Sequence, residues 1–159
     1  MKKIHIHFYV LPLLLCFALS GLAALLQADA LRDWYPTLAK PALTPPDIAF
    51  PIVWTLLYLC IGISAGLVLS SGRKGRHTVM LLWYIQLALN FLWTVCFFVL
   101  RSPLLGMLDI LALDASVILY VVFSARLCRA AAWIMVPYLV WVLFATYLNG
   151  YIWAAAVAR

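Results

Sequence analysis

The chain has 159 residues, 68% of them hydrophobic and 10% charged, with a mean hydropathy of +1.09, whereas soluble domains hold about 45–50% apolar and about 25% charged residues. A water-soluble fold of this size has too little interior for that apolar surface, and in a bilayer only helices or a closed barrel satisfy every backbone polar group. The apolar runs are long and do not alternate, which excludes a barrel; the net charge of +6 sits in short loops beside those runs, which fits topology and anionic headgroups and argues against nucleic acid as a partner.

Crossing the hydrocarbon takes about 20 apolar residues, and five stretches qualify: 4–27, 48–70, 79–100, 104–124 and 130–157. The expected fold is therefore an all-α integral membrane protein, a five-transmembrane-helix bundle forming one domain over residues 1–159. In the first stretch, Lys2-Lys3, an apolar run and Ala28-Asp29-Ala30 imitate a secretory signal with its cleavage site. The run exceeds the usual signal core of about 7–15 residues, so it is taken as a retained span.

Residues 28–47 form the one long connection, carrying Trp34, Tyr35, Lys40 and several prolines. Such a loop is expected to be an ordered lid. At its end, Thr44-Pro45-Pro46-Asp47 has the pattern of a helix start, with Thr44 as the cap. In the second span, Gly62-Ile63-Ser64-Ala65-Gly66 permits close approach of two helix backbones, within the monomer or in a dimer. Gln86 and Asn90 in the third span share a face.

Two of the five aspartates, Asp109 and Asp114, fall inside the fourth span. Five positions apart on a helix, they diverge by about 140° and cannot form a dyad. That each is protonated or hydrogen-bonded to a neighbouring helix is preferred over a relay, because no other span carries an internal ionisable partner. His5, His7 and His77 lie near span ends, and His5 with His7 is too small a ligand set for a metal site. Cys16, Cys60, Cys96 and Cys128 are scattered and suggest neither a disulfide framework nor a metal site.

Lys2, Lys3, Arg73, Lys74, Arg76, Arg126 and Arg129 fall on the side of the N-terminus, and Arg32, Lys40, Arg101 and Arg159 on the other. The bias predicts a cytoplasmic N-terminus in a bacterial inner membrane, with the outer membrane not excluded. Of the seven tryptophans, Trp83, Trp133 and Trp153 suit interfacial belts by their nearness to span ends. Trp54, Trp93 and Trp141 suit a belt less well; with Asn90, Tyr138 and Asn149 nearby they point to an apolar pocket with a few orienting groups.

The segment Trp34-Tyr35-Pro36-Thr37-Leu38-Ala39-Lys40-Pro41, then Pro45-Pro46, Val53-Trp54-Thr55 with Tyr58, Gln86-Leu87-Ala88-Leu89-Asn90 with Trp93, and Pro137-Tyr138-Leu139-Val140-Trp141 with Phe144-Ala145-Thr146 and Leu148-Asn149, resembles the translocator protein family, also called tryptophan-rich sensory proteins or peripheral benzodiazepine receptors. The blocks occur in order over most of the chain. The resemblance implies a five-helix bundle, often a homodimer, with a cavity closed by the first loop and ligands that include porphyrins, haem-related tetrapyrroles and benzodiazepine-type molecules. Carried onto matching positions, the ligand-binding residues are Trp34, Tyr35, Lys40, Trp54, Tyr58, Asn90, Trp93, Tyr138, Trp141, Ala145 and Asn149. Asp109 also matches an acidic position, whereas Asp114 has no assigned counterpart.

The family's sterol pattern is not met, since after Tyr151 the next basic residue is Arg159. The leading expectation is a membrane receptor or sensor for tetrapyrroles, with no required cofactor and no metal. The alternatives implied by the resemblance are a light- and oxygen-dependent porphyrin-degrading enzyme, for which Tyr35, Trp54 and Trp141 are the candidate electron-exchanging residues, and a transporter of tetrapyrroles, lipids or sterols.

Overall fold

A computed structural model describes residues 6–158. Its five long helices are α1 (His7–Asp33), α2 (Ala49–Ser70), α3 (Arg76–Thr94), α4 (Pro103–Leu127) and α5 (Arg129–Val157). All five are long and apolar enough to cross a membrane, α3 together with the turn that follows it. Lys2, Lys3, His5 and Arg159 lie outside the described residues.

The helices alternate in direction, so one face of the bundle carries the first loop and the 100–102 turn, and the opposite face carries the 71–75 turn and the α4–α5 junction. The α1–α2 contact rests on glycine: a Cβ on Gly62 would run into Leu13, and one on Gly66 into the Tyr9 ring. The small-residue pattern thus serves packing within the chain. Two polar ties join the helices at this level. Ser64 donates to the Ala131 carbonyl at 2.8 Å and shares a 2.7 Å hydrogen bond with the Tyr120 hydroxyl.

Three local expectations change. Helix α1 continues to Asp33, so the first connection is shorter than residues 28–47 and the Ala28-Asp29-Ala30 segment is helical. Alanine and leucine favour the helix there, Arg32 pairs with Asp29 one turn earlier, and Ala30 is buried beside Phe97 and Phe98. Thr44 does not cap α2. Its hydroxyl donates to the Pro41 carbonyl at 2.7 Å, and Ile48 precedes the helix without any side-chain cap. Trp83 belongs to no belt: it is fully buried and its indole N–H donates to the Ile61 carbonyl at 3.0 Å. Positions 83, 86, 87 and 90 form the inward stripe of α3, and an indole on that stripe needs an internal acceptor. Trp133 and Trp153 are exposed, as a belt requires.

The α4 start follows the capping rules that α2 escapes. Ser102 is extended, its side chain accepts from the Leu105 amide, and Pro103 occupies the first turn. Just before it, Val95–Val99 forms a π turn, closed by the Leu100 amide on the Val95 carbonyl at 2.9 Å. Such widened turns recur at functional sites, and this one turns Phe97 and Phe98 into the bundle together.

Candidate functional site

Four helices meet around a small cavity in the half of the bundle nearer the first loop. Its walls are Trp54 from α2, Asn90 and Trp93 from α3, Ile110 and Leu113 from α4, and Val142 and Ala145 from α5. The cavity measures about 10 Å³, room for about one water and far below the roughly 300–1,000 Å³ of a ligand site. Rings and aliphatic chains fill the space, so a macrocycle enters only if the helices or the lid give way.

Two chains of polar contacts brace this wall. Asn90 accepts from the Tyr58 hydroxyl at 2.7 Å and donates to the Tyr138 hydroxyl at 3.0 Å, tying α3 to α2 and α5. Nearer the first loop, the Trp93 indole donates to Asn149 at 3.0 Å, and Asn149 in turn donates to the Pro103 carbonyl at 2.7 Å. The second link satisfies a backbone acceptor at the start of α4. Every amide here is engaged, but each keeps spare capacity: an Asn carbonyl has a second lone pair and its NH₂ a second hydrogen.

The lid packs on the π turn rather than on the cavity. Trp34 meets Phe97 edge-on with centroids 5.3 Å apart, and Tyr35 lies 5.8 Å from Phe98. Phe97 stacks on Trp93 at 5.0 Å, and Trp93 is a wall of the cavity. One aromatic column therefore couples the lid to the cavity through α3. The Lys40 ammonium sits 4.2 Å from the Tyr35 ring centroid, a cation–π contact that stiffens the lid. Burial pushes the Tyr35 phenol above its usual pKa, and the Asp47 carboxylate acts in the same direction. Tyr35 is thus a neutral hydroxyl at physiological pH.

Of the expected pocket residues, Trp54, Asn90, Trp93 and Ala145 line the cavity. Tyr58, Tyr138 and Asn149 stand behind that wall and hold its amides and indole. Trp34, Tyr35 and Lys40 belong to the lid. Trp141 is not a wall: its ring packs on Phe50 at 5.9 Å and Phe144 at 5.8 Å, near the α2 start. Ile110, Leu113, Val142, Phe97 and Phe98 were not anticipated. The four-residue spacing of Phe97 from Trp93 is the one available signal for that column; the aliphatic walls carry no distinguishing mark.

The intramembrane acids face different neighbours. Asp114 accepts from Thr146 of α5 at 2.8 Å, the hydrogen-bonded arrangement preferred over a relay. Asp109 is buried with neither carboxyl oxygen partnered among the described residues, and the Gln86 amide is likewise unpartnered. No group of three or more histidines, cysteines or acids suited to a metal occurs among the described residues.

The TspO/MBR family model matches residues 10–154, which reaches from the first turn of α1 to the last turn of α5 and includes the lid and every wall of the cavity. The chain belongs to the TspO/MBR family. It is similar to the tryptophan-rich protein TspO of Chlorobaculum tepidum, 40% identical over 146 residues that cover 88% of this chain and 92% of that one. It is 33% identical over 136 residues to the tryptophan-rich sensory protein of Cereibacter sphaeroides, covering 84% and 82% of the two chains. Against the human translocator protein it is 33% identical over 149 residues, 92% of this chain and 86% of that one. The family likeness therefore extends over the bundle as a whole and is not confined to the aromatic blocks. It makes the chain a multi-pass membrane protein of a sensor and translocator family.

Proposed function

We propose that this family member is a membrane receptor for tetrapyrroles, which it takes between the lid and the cavity bounded by Trp54, Asn90, Trp93 and Ala145. The observation that carries this reading is the aromatic column: Trp34, Phe97 and Trp93 connect an external lid to an internal wall built of flat rings and one amide. A flat apolar macrocycle is bound by stacking on such rings, while the spare hydrogen-bonding capacity of Asn90 and Asn149 orients its polar edge. Lys40, at the lid surface, supplies a cation for a propionate. The small cavity requires that binding open the lid, displacing Phe97 or Trp93. The lid face is assigned to the outside of a bacterial inner membrane, since Arg73, Lys74, Arg76, Arg126 and Arg129 all lie on the opposite face.

Titration of the purified protein with protoporphyrin in darkness, followed by fluorescence quenching, tests the proposal. Trp54→Ala is expected to weaken binding by on the order of 1–3 kcal/mol, the range for a buried aromatic anchor. Ala145→Phe, which fills the cavity, should weaken it comparably, and Trp153→Ala should leave it unchanged. Equal and negligible effects of all three variants would reject the site. Repeated turnover of the porphyrin to one released product in darkness would replace the receptor by an enzyme.

A further inference from the structure

We propose a second site, for one anionic phospholipid, on the outer surface of the bundle where α4 and α5 meet, at the end opposite the lid. A groove of about 410 Å³ runs there between the two helices, bounded by Val121 and Ala125 of α4 and by Arg129, Ala132, Trp133 and Val136 of α5. Alanines at 125 and 132 open it, and the Trp133 ring, 72% exposed, forms one wall. From Arg129 to Val136 the groove descends seven residues, about 10 Å along the helix. Its lining changes over that depth from a guanidinium to aliphatic chains. This is the polarity profile of a glycerophosphate followed by the start of an acyl chain.

Charge selects the headgroup. This end of the bundle carries Arg73, Lys74, Arg76, Arg126 and Arg129 and no carboxylate, since all five acids lie in the first loop and its borders or inside α4. Three of these cations are already occupied, Arg76 by donating to the Leu69 carbonyl at 3.4 Å. Arg73 donates to the Arg126 carbonyl at 3.4 Å, and the Arg126 guanidinium lies 5.3 Å from the Phe123 ring centroid. Arg129 is exposed at the groove mouth, and its guanidinium has no ion pair or hydrogen bond among the described residues. It opens α5, whose positive helix end adds to its attraction for an anion. A zwitterionic lipid would bring a choline cation into a field of five positive charges with no anion to receive it. A headgroup of phosphatidylglycerol type brings only the phosphate. Trp133 one turn further on sits at the depth where tryptophan anchors at headgroups.

The test uses the full chain in detergent and counts retained lipids by native mass spectrometry after exposure to phosphatidylglycerol or phosphatidylcholine. Wild type should retain one phosphatidylglycerol in preference to phosphatidylcholine, and Arg129→Gln should reduce that retention about fivefold, the ratio for one interfacial cation. Ala125→Phe, which occludes the groove without altering charge, should reduce it as strongly, with Val121→Trp repeating the occlusion if the first variant fails to fold. Lys74→Gln removes the same charge from a side chain that does not line the groove and should have the smaller effect. Protoporphyrin binding should be unchanged in Ala125→Phe, which separates this site from the cavity. Equal losses in Lys74→Gln and Arg129→Gln, undiminished retention in both groove-filling variants, or equal retention of phosphatidylcholine would overturn the proposal. Displacement of the lipid by glycerol phosphate alone would reduce the site to a phosphate contact and overturn it as well.

Discussion

On the face away from the lid, α1 and α2 touch through Gly62 and Gly66, Ser64 is bonded to both Tyr120 and Ala131, and Trp83 gives its only hydrogen to a backbone carbonyl. On the lid face, a small void lies between Trp54 and Ala145, and the Asp109 carboxyl has no partner among the described residues. Both regions belong to the same five helices and differ in how completely their volume is filled, since the amides at the cavity are engaged as well. Helix association in lipid relies on close packing and interhelical hydrogen bonds, so the close-packed end holds the bundle together most tightly. The end with the void keeps the free volume that the proposed ligand needs.

The largest effect that would break this comparison is at Trp83. Trp83→Ala removes a fully buried ring and leaves the Ile61 carbonyl without that donor, and should cost about 3–5 kcal/mol of stability. Thermal or denaturant unfolding in detergent measures it, while the folded fraction should keep its porphyrin affinity. A loss of binding without a loss of stability would place Trp83 in the site and erase the division between the two ends.

Next in size is the α1–α2 contact. Gly66→Ala sets a methyl against the Tyr9 ring, and overpacking of this kind costs about 1–3 kcal/mol. Tyr9→Ala in the same chain should return part of the loss. Gly21 has nothing within 4 Å of a built Cβ, so Gly21→Ala serves as the control and should be neutral or mildly stabilising. If Gly62 and Gly66 instead served a contact between two copies, Gly66→Ala would change oligomeric state and leave monomer stability alone.

The same contrast explains what could be read in advance. The five spans follow from apolar length alone, and Gly62-x-x-x-Gly66 announced a close helix approach that the structure contains. Trp54, Asn90 and Trp93 were legible because amides and indoles inside an apolar run are chemically marked, whereas Ala145 came from the family resemblance alone. Ile110, Leu113 and Val142 were not, for a reason particular to membranes: a span is apolar toward lipid and toward its neighbours, so its sequence does not mark the inward face. Trp83 was misplaced by that ambiguity, since nearness to a span end says nothing of which way the ring turns. The π turn at Val95–Val99 was hidden as well, because one extra residue in a helical turn leaves no pattern in an apolar run.

The smallest effect concerns how the two ends make their turns. On the face away from the lid, Gly72 and Gly75 carry positive φ angles of 63° and 91°, a conformation glycine adopts without penalty. On the lid face, the turn between the π segment and the Ser102 cap uses Arg101 at φ 50°. An ordinary residue in that region costs about 1–2 kcal/mol, and a glycine there gives back about 0.4–1 kcal/mol through the freer unfolded chain. Arg101→Gly should therefore stabilise the protein by about 0.5–1 kcal/mol, read as a small rise in Tm in detergent. By the same difference taken in reverse, Gly75→Ala should lower stability by about 0.5–1 kcal/mol. If Arg101→Gly is instead destabilising, the arginine makes a compensating contribution, and the strain at the lid face is not the residual freedom of a binding end. If it stabilises and porphyrin affinity also falls, the strained turn is coupled through Phe97 and Trp93 to the cavity, and the site end carries strain as part of how it opens.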